Sequence, residues 1–168
     1  MIDCIPGTIQ PPPSNATVED FQTFWKVSLP SEYVDFLCTT NCGAPLQHCF
    51  GLQDNVIDRF LGLFDDPRTM GPVGSYDIDV TISQIEDRLI SEDELERECD
   101  VAVVPIASMF GGDHVCLDFR HSAVPTVCIW SHEESEPGAP VFRHVAHSFG
   151  EFLAMLHSPP EDDDSGNV

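Results

Sequence analysis

FGGDHVCLDFRHSAVPTVCIWSHEE, residues Phe110 to Glu134, gathers Asp, His, Cys and Glu into one short run that could be read as a catalytic or metal site. Alternation gives a simpler reading. Val115, Leu117 and Phe119 alternate with His114, Cys116 and Asp118, the period of a strand with one buried face. Val127 and Ile129 alternate with Cys128 and Trp130 in the same way. A connection centred near Ser122 sets Val115 opposite Ile129 and Leu117 opposite Val127, so both apolar sets share one side, and a one-residue slip would put one set in water. The same register sets Cys116 opposite Cys128 and His114 opposite Trp130 on the face away from the core. A cross-strand disulfide is conceivable there, but two free thiols fit a reducing compartment better. Gly111-Gly112 reads as the turn that admits the first strand. It lacks the Lys, the Ser/Thr and the helix start of a phosphate loop.

Upstream of this hairpin, residues 1 to 16 hold four of the 14 prolines, three of them consecutive, and should form an extended arm. From Thr17, with Asp20 three residues on, Val18, Phe21, Phe24 and Trp25 recur at helical spacing. A second helix starts at Leu29-Pro30, carries Tyr33, Phe36 and Leu37, and ends at Asn41-Cys42-Gly43. Between Gly51 and Leu63 the pattern is ambiguous: Val56, Ile57 and Phe60 have helical spacing, while Leu61-Gly62-Leu63-Phe64 reads as a short strand. The stretch from Asp65 to Ser75 has two Pro and two Gly and reads as a loop. Ile78, Ile82, Ile85 and Leu89 then keep an apolar stripe through a segment, Asp77 to Asp100, with ten acidic residues against Arg88 and Arg97. That predicts an amphipathic helix with an acidic outer face, and a further helical turn around Ser91 to Glu98.

Val101 to Ile106 is apolar and β-branched enough for a buried strand, ahead of the hairpin strands at 114 to 119 and 126 to 131. A last helix runs from Ser148 to His157 on Phe149, Phe152, Leu153 and Leu156, and Pro159-Pro160 stops it. The division is therefore an arm at 1–16, one domain at 17–157 and an acidic, disordered tail at 158–168.

Charge is the dominant bulk property. Asp and Glu number 29 against seven Lys and Arg, a formal net charge of -22 over 168 residues. Nucleic acid and anionic membranes are excluded as partners, since both require basic groups. Solubility of a small domain needs a net charge of only about 2 to 8. The excess points to a basic partner, steered in by the field, or to an acidic, salt-adapted proteome. The seven cysteines are an odd count, the N-terminus resembles no signal peptide, and the apolar run Val101 to Ala107 is too short to span a bilayer, which together suggest a soluble cytoplasmic protein.

Candidate chemistry is sparse. Cys38, Cys42, His48 and Cys49 match zinc-ligand spacing only loosely, and Cys38, beside Leu37, reads better as a core cysteine. His144 and His147 share a helical face if the last helix starts early, but without a metalloprotease carboxylate. No Gly-x-Ser-x-Gly elbow occurs, and no carboxylate pair is singled out. Neither a cofactor nor a metal is expected.

Taken in order, LPSEYVDFL (29–37) followed by Asn41-Cys42-Gly43, then FLGL (60–63), VPIA (104–107), GGDHVCLD (111–118), VCIWSHE (127–133) and SFGEFL (148–153) resemble the SUKH superfamily, across about residues 18 to 157. The resemblance implies an α+β fold: a curved, mostly antiparallel sheet carrying helices. It also implies a non-enzymatic task, the neutralisation of a cognate toxin by direct binding, as in bacterial immunity proteins; the yeast Smi/Knr relatives are cell-wall synthesis regulators. Two departures stand out. The family's Asn-Gly-Gly is Asn41-Cys42-Gly43 here, and the acidic segment between Phe64 and Val101 has no fixed counterpart.

Acidity and resemblance together suggest a basic toxin, with a nucleic-acid-directed one favoured because carboxylates can stand where phosphates would lie. The expected contact surface draws on the acidic helix, with Asp77, Asp79, Glu86, Asp87, Glu92, Asp93 and Glu94, and on the hairpin ends, with Asp113, Trp130, His132, Glu133 and Glu134. Trp130 is the expected apolar anchor. The alternatives are a regulatory or scaffold domain without a toxin, and a metal-dependent hydrolase.

Overall fold

A computed structural model describes residues 2–51, 55–96 and 101–159 of the chain, with the side chains at 95 and 96 outside the description. The expected acidic tail lies outside the described residues from 160 onward. The elements run α1 (Asn15–Trp25), α2 (Ser31–Thr40), β1 (Cys49–Phe50), β2 (Asn55–Phe60), α3 (Ile78–Ile85), α4 (Glu92–Glu96), β3 (Val103–Met109), β4 (His114–Asp118), β5 (Thr126–Trp130), β6 (Phe142–Ala146) and α5 (Phe149–Ala154). The strands form one six-stranded sheet in sequence order, every neighbouring pair antiparallel, curled into a half-barrel with the helices packed against it. This is the expected α+β class.

The hairpin register is the one that alternation requires: His114 pairs with Trp130, Val115 with Ile129, Cys116 with Cys128 and Leu117 with Val127. One expectation about it fails. The second face of these strands is not open to water, since Cys116, Cys128 and Trp130 are as buried as Val115 and Leu117. Burial of both faces follows from the curl, which brings other segments over the side that alternation marks as polar.

Ser14, and not Thr17, caps α1 by accepting from the Thr17 N–H, so the arm is two residues shorter than expected. The arm is pinned to the turn after α2: Ile5 N–H donates to the Ala44 carbonyl, and Asn41 Nδ2 donates to the Pro11 carbonyl. Val18, Phe21 and Trp25 are buried, but Phe24 is 70% exposed. It lies about 100° around the helix from Trp25 and so falls off the core stripe. On α2, Tyr33 and Phe36 meet Phe149 of α5 edge-on, at 5.0 and 5.1 Å between ring centres, and Phe36 meets Phe60 of β2 at 4.7 Å. These aromatic contacts close the helices onto the sheet.

Several boundaries differ from the sequence reading. Residues 55–60 form a strand, not the helix that Val56, Ile57 and Phe60 allowed, and Leu61 to Phe64 add no strand. The loop after it contains two 3₁₀ segments, Pro67–Thr69 and Gly71–Tyr76. The amphipathic helix expected through Leu89 ends as α3 at Ile85 and continues as a 3₁₀ turn at Glu86–Arg88, while the further turn expected around Ser91 to Glu98 is α4, with 97 and 98 outside the described residues. His144 stands in β6, a strand the sequence reading missed, so it does not share a helix with His147. α5 starts at Phe149 under a Ser148 cap and ends at Ala154. Cys38 is exposed, correcting its assignment to the core, while Cys42 and Cys49 are buried.

Candidate partner-binding surface

The acidic segment and the hairpin exit are joined in space by Arg88, 44 residues before His132. Its guanidinium donates to the carbonyls of His132 and Ser135 and faces His132 Nδ1 at 3.2 Å. It also lies 5.1 Å from the Trp130 ring centre. Gly138 completes the junction. Its N–H donates to the Asp87 carbonyl at 2.8 Å, and its own carbonyl accepts from the Glu92 N–H at 2.8 Å. A Cβ at Gly138 would come within 2.6 Å of Glu92 Cγ, and its φ of +74° favours glycine. Asp113 ties the other end of the hairpin in: Oδ1 accepts from the His132 N–H at 2.8 Å, and Oδ2 pairs with Arg143 at 3.3 Å.

Glu86, Asp87, Glu92 and Asp93 are exposed on the helical side of this junction, and His132, Glu133 and Glu134 on the hairpin side. Glu94 is turned back, accepting from the Ser91 N–H at 2.9 Å and its hydroxyl at 2.8 Å while Ser91 Oγ accepts from the Glu94 N–H, a capping box. Two residues expected on the surface sit inside. Asp77 is 1% exposed and caps α3, accepting from the N–H groups of Asp79, Val80 and Phe64. Burial raises its carboxyl above the ordinary range in spite of those three bonds. Trp130 is fully enclosed, with Nε1–H donating to the Arg88 carbonyl at 2.8 Å, so it is a core residue under Arg88 and not an exposed anchor. Asp79 is exposed but lies at the opposite end of α3, where it accepts from Trp25 Nε1 at 2.8 Å.

A family model described as SMI1 / KNR4 family (SUKH-1) matches residues 12–155. The chain belongs to the SUKH-1 family. The family is generally one of non-enzymatic binding domains, and the curled sheet agrees with that membership. SPbeta prophage-derived uncharacterized protein YokK of Bacillus subtilis (strain 168) is 36% identical over 62 residues, 37% of this SUKH-1 chain and 30% of that relative's length. The matched part thus spans about a third of that protein. No solved structure matches the chain.

The remaining candidate chemistry of this SUKH-1 domain is structural where it is described. Among the described residues no group of three or more His, Cys, Asp or Glu is placed to hold a metal ion. Cys116 and Cys128 face each other as buried thiols, and burial holds the Cys116 thiol well above its ordinary range, against the ionisation a nucleophile needs. Burial would raise Asp118, but the two-point contact from Arg120, at 2.9 and 2.7 Å, outweighs it and holds the carboxyl low. No helix among the described residues is long and apolar enough to cross a membrane. The sequence reading missed two features that shape the surface: the Arg88 clasp, which needs knowledge of what closes the second sheet face, and a cleft beside Phe24.

Proposed function

We propose that this SUKH-1 domain is an immunity protein that neutralises a cognate basic toxin by direct, stoichiometric binding. The observation that carries the reading is the junction at Arg88, which fastens the segment bearing exposed Glu86, Asp87, Glu92 and Asp93 to the hairpin exit bearing exposed Glu133 and Glu134. Family membership supports a protein as the partner. The net charge of -22 supports a basic one, because a complementary pair associates faster than a neutral pair and the advantage fades with salt.

A basic active cleft that handles nucleic acid would be blocked by carboxylates standing where phosphates lie, so a nucleic-acid-directed toxin is the favoured target. The toxin is sought beside the gene, since an immunity gene has to be inherited with its toxin. The test is co-expression: cells producing the neighbouring toxin survive when the chain is made with it and die without it. Death in both cases, with both proteins present at equal levels, overturns the reading.

A further inference from the structure

A cleft of about 550 Å³ lies away from the Arg88 junction, between α1, the Leu63–Pro67 segment and the start of α3. Phe21, Phe24, Leu63, Phe64 and Pro67 supply its apolar wall, beside Thr17, Thr23 and the capping carboxylate Asp77. Its rim carries Asp20, Asp65 and Asp79, and no Lys, Arg or His lines it. The nearest cation in sequence, Arg68, is bound to Asp66 at 2.9 Å.

Two of the rim carboxylates are fixed. Asp65 accepts from the Ser14 N–H at 2.9 Å and from Thr17 Oγ1 at 2.5 Å, and these bonds hold it below the ordinary carboxylate range. Asp79 is held by Trp25 Nε1. Phe24 is 70% exposed, yet its ring is steadied edge-on against Trp25 at 4.9 Å between ring centres. An exposed aromatic ring over an apolar floor, with charge of one sign on the rim, is complementary to a long cationic side chain with apolar neighbours. Arginine fits better than lysine, since its planar guanidinium both stacks on a ring and engages carboxylates with two bonds.

We propose that this cleft docks an arginine-bearing, apolar-flanked segment of a protein partner, the arginine laid against Phe24 and directed to Asp65 and Asp79. The proposal rests on the reading that the chain works by binding a protein, but not on the acidic face at Arg88. Its volume admits a few side chains, within the ordinary range of about 300 to 1,000 Å³ for binding pockets.

The test uses the full-length chain, isotope-labelled, titrated with acetyl-Leu-Arg-Leu-Arg-amide and with the matched glutamate peptide and spermidine as controls, read by amide chemical shifts. The expected result is saturable shifts confined to α1, residues 63–67 and the start of α3, seen with the arginine peptide alone. Phe24→Ser, and Asp65→Asn with Asp79→Asn, should each weaken binding about tenfold or more. Asparagine keeps the acceptor for Thr17, Ser14 and Trp25, so these variants retain the local fold. Shifts spread over the α3–α4 face and unchanged by the variants, or equal shifts with spermidine, overturn the proposal. Failure here with toxin rescue intact removes only the cleft; a bound peptide without rescue removes only the immunity reading.

Discussion

Arg88 and Trp130 hold each other twice: the Trp130 Nε1–H donates to the Arg88 carbonyl at 2.8 Å while the Arg88 guanidinium lies 5.1 Å from the Trp130 ring centre. Arg88 thereby covers Trp130 and clasps the hairpin exit. Arg88→Ala leaves the His132 and Ser135 carbonyls without their donor and should cost about 2 kcal/mol in urea unfolding. Trp130→Ala opens a cavity in the core and should cost about 3 to 5 kcal/mol. Neither effect depends on a partner. Loss of toxin binding by Trp130→Ala with stability unchanged would contradict the burial described.

On the exposed face, Glu86→Lys, Asp87→Lys, Glu92→Lys and Asp93→Lys combined should leave the melting temperature within a few degrees of the parent. The association rate with the toxin at low salt should fall about tenfold or more, with a smaller loss at high salt. Glu94 belongs in a separate variant, because it caps α4 through Ser91. Stopped-flow association at two ionic strengths reads the difference. An unchanged rate at low salt would remove the acidic face from the interface.

His114 makes stability depend on pH. Burial against Trp130 pushes its imidazole down to about 4, with His132 adding in the same direction and Asp113 and the Gly112 backbone opposing. In the unfolded chain the ring titrates near about 6.5. Between those values the unfolded chain takes up a proton that the folded chain refuses, so stability falls as pH drops through this window, by about 3 kcal/mol in full. His114→Phe should lose that part of the slope. The check is the urea midpoint of the parent minus that of the variant, which should be lower at pH 4.5 than at pH 7.

The corner after α2 is closely packed. Cys42, where the family pattern has glycine, has a φ of 60° and is fully buried. A Cβ on the facing Gly62 would lie 2.9 Å from Cys42 Cβ, Asn41 Oδ1 and Phe64 Cζ. Gly62→Ala should therefore cost about 2 kcal/mol or more, and Cys42→Val about 2 kcal/mol, since a β-branched residue resists a positive φ. Cys42→Gly trades lost burial against relieved backbone and should stay within about 1 kcal/mol of the parent. Thermal melts of the three variants rank them.

These cases show how much the sequence discloses. The pairing of Val115 with Ile129 was legible because period-two alternation and one buried face admit a single register. What covers the other face was not, since Arg88 comes from 42 residues upstream and its clasp is made through backbone carbonyls, which leave no side-chain pattern. Asp77 reads as a surface acid until its place before Ile78-Asp79-Val80 is seen as a helix cap. β6 escaped notice because its Arg143 and His144 are exposed and its apolar residues do not alternate cleanly. For the binding face, the charged residue types were legible, and the junction that gathers them was not.

The most direct measurement is capture by the tagged full-length chain from its own organism at low salt, with stepwise salt elution and mass spectrometry of what is released. The expected result is one basic toxin domain, bound one to one, released as ionic strength rises and not captured by the chain with Glu86, Asp87, Glu92 and Asp93 reversed. Capture of a kinase or cell-wall enzyme in its place, or of a toxin that the reversed chain holds equally well at high salt, would contradict binding of a basic toxin through the acidic face.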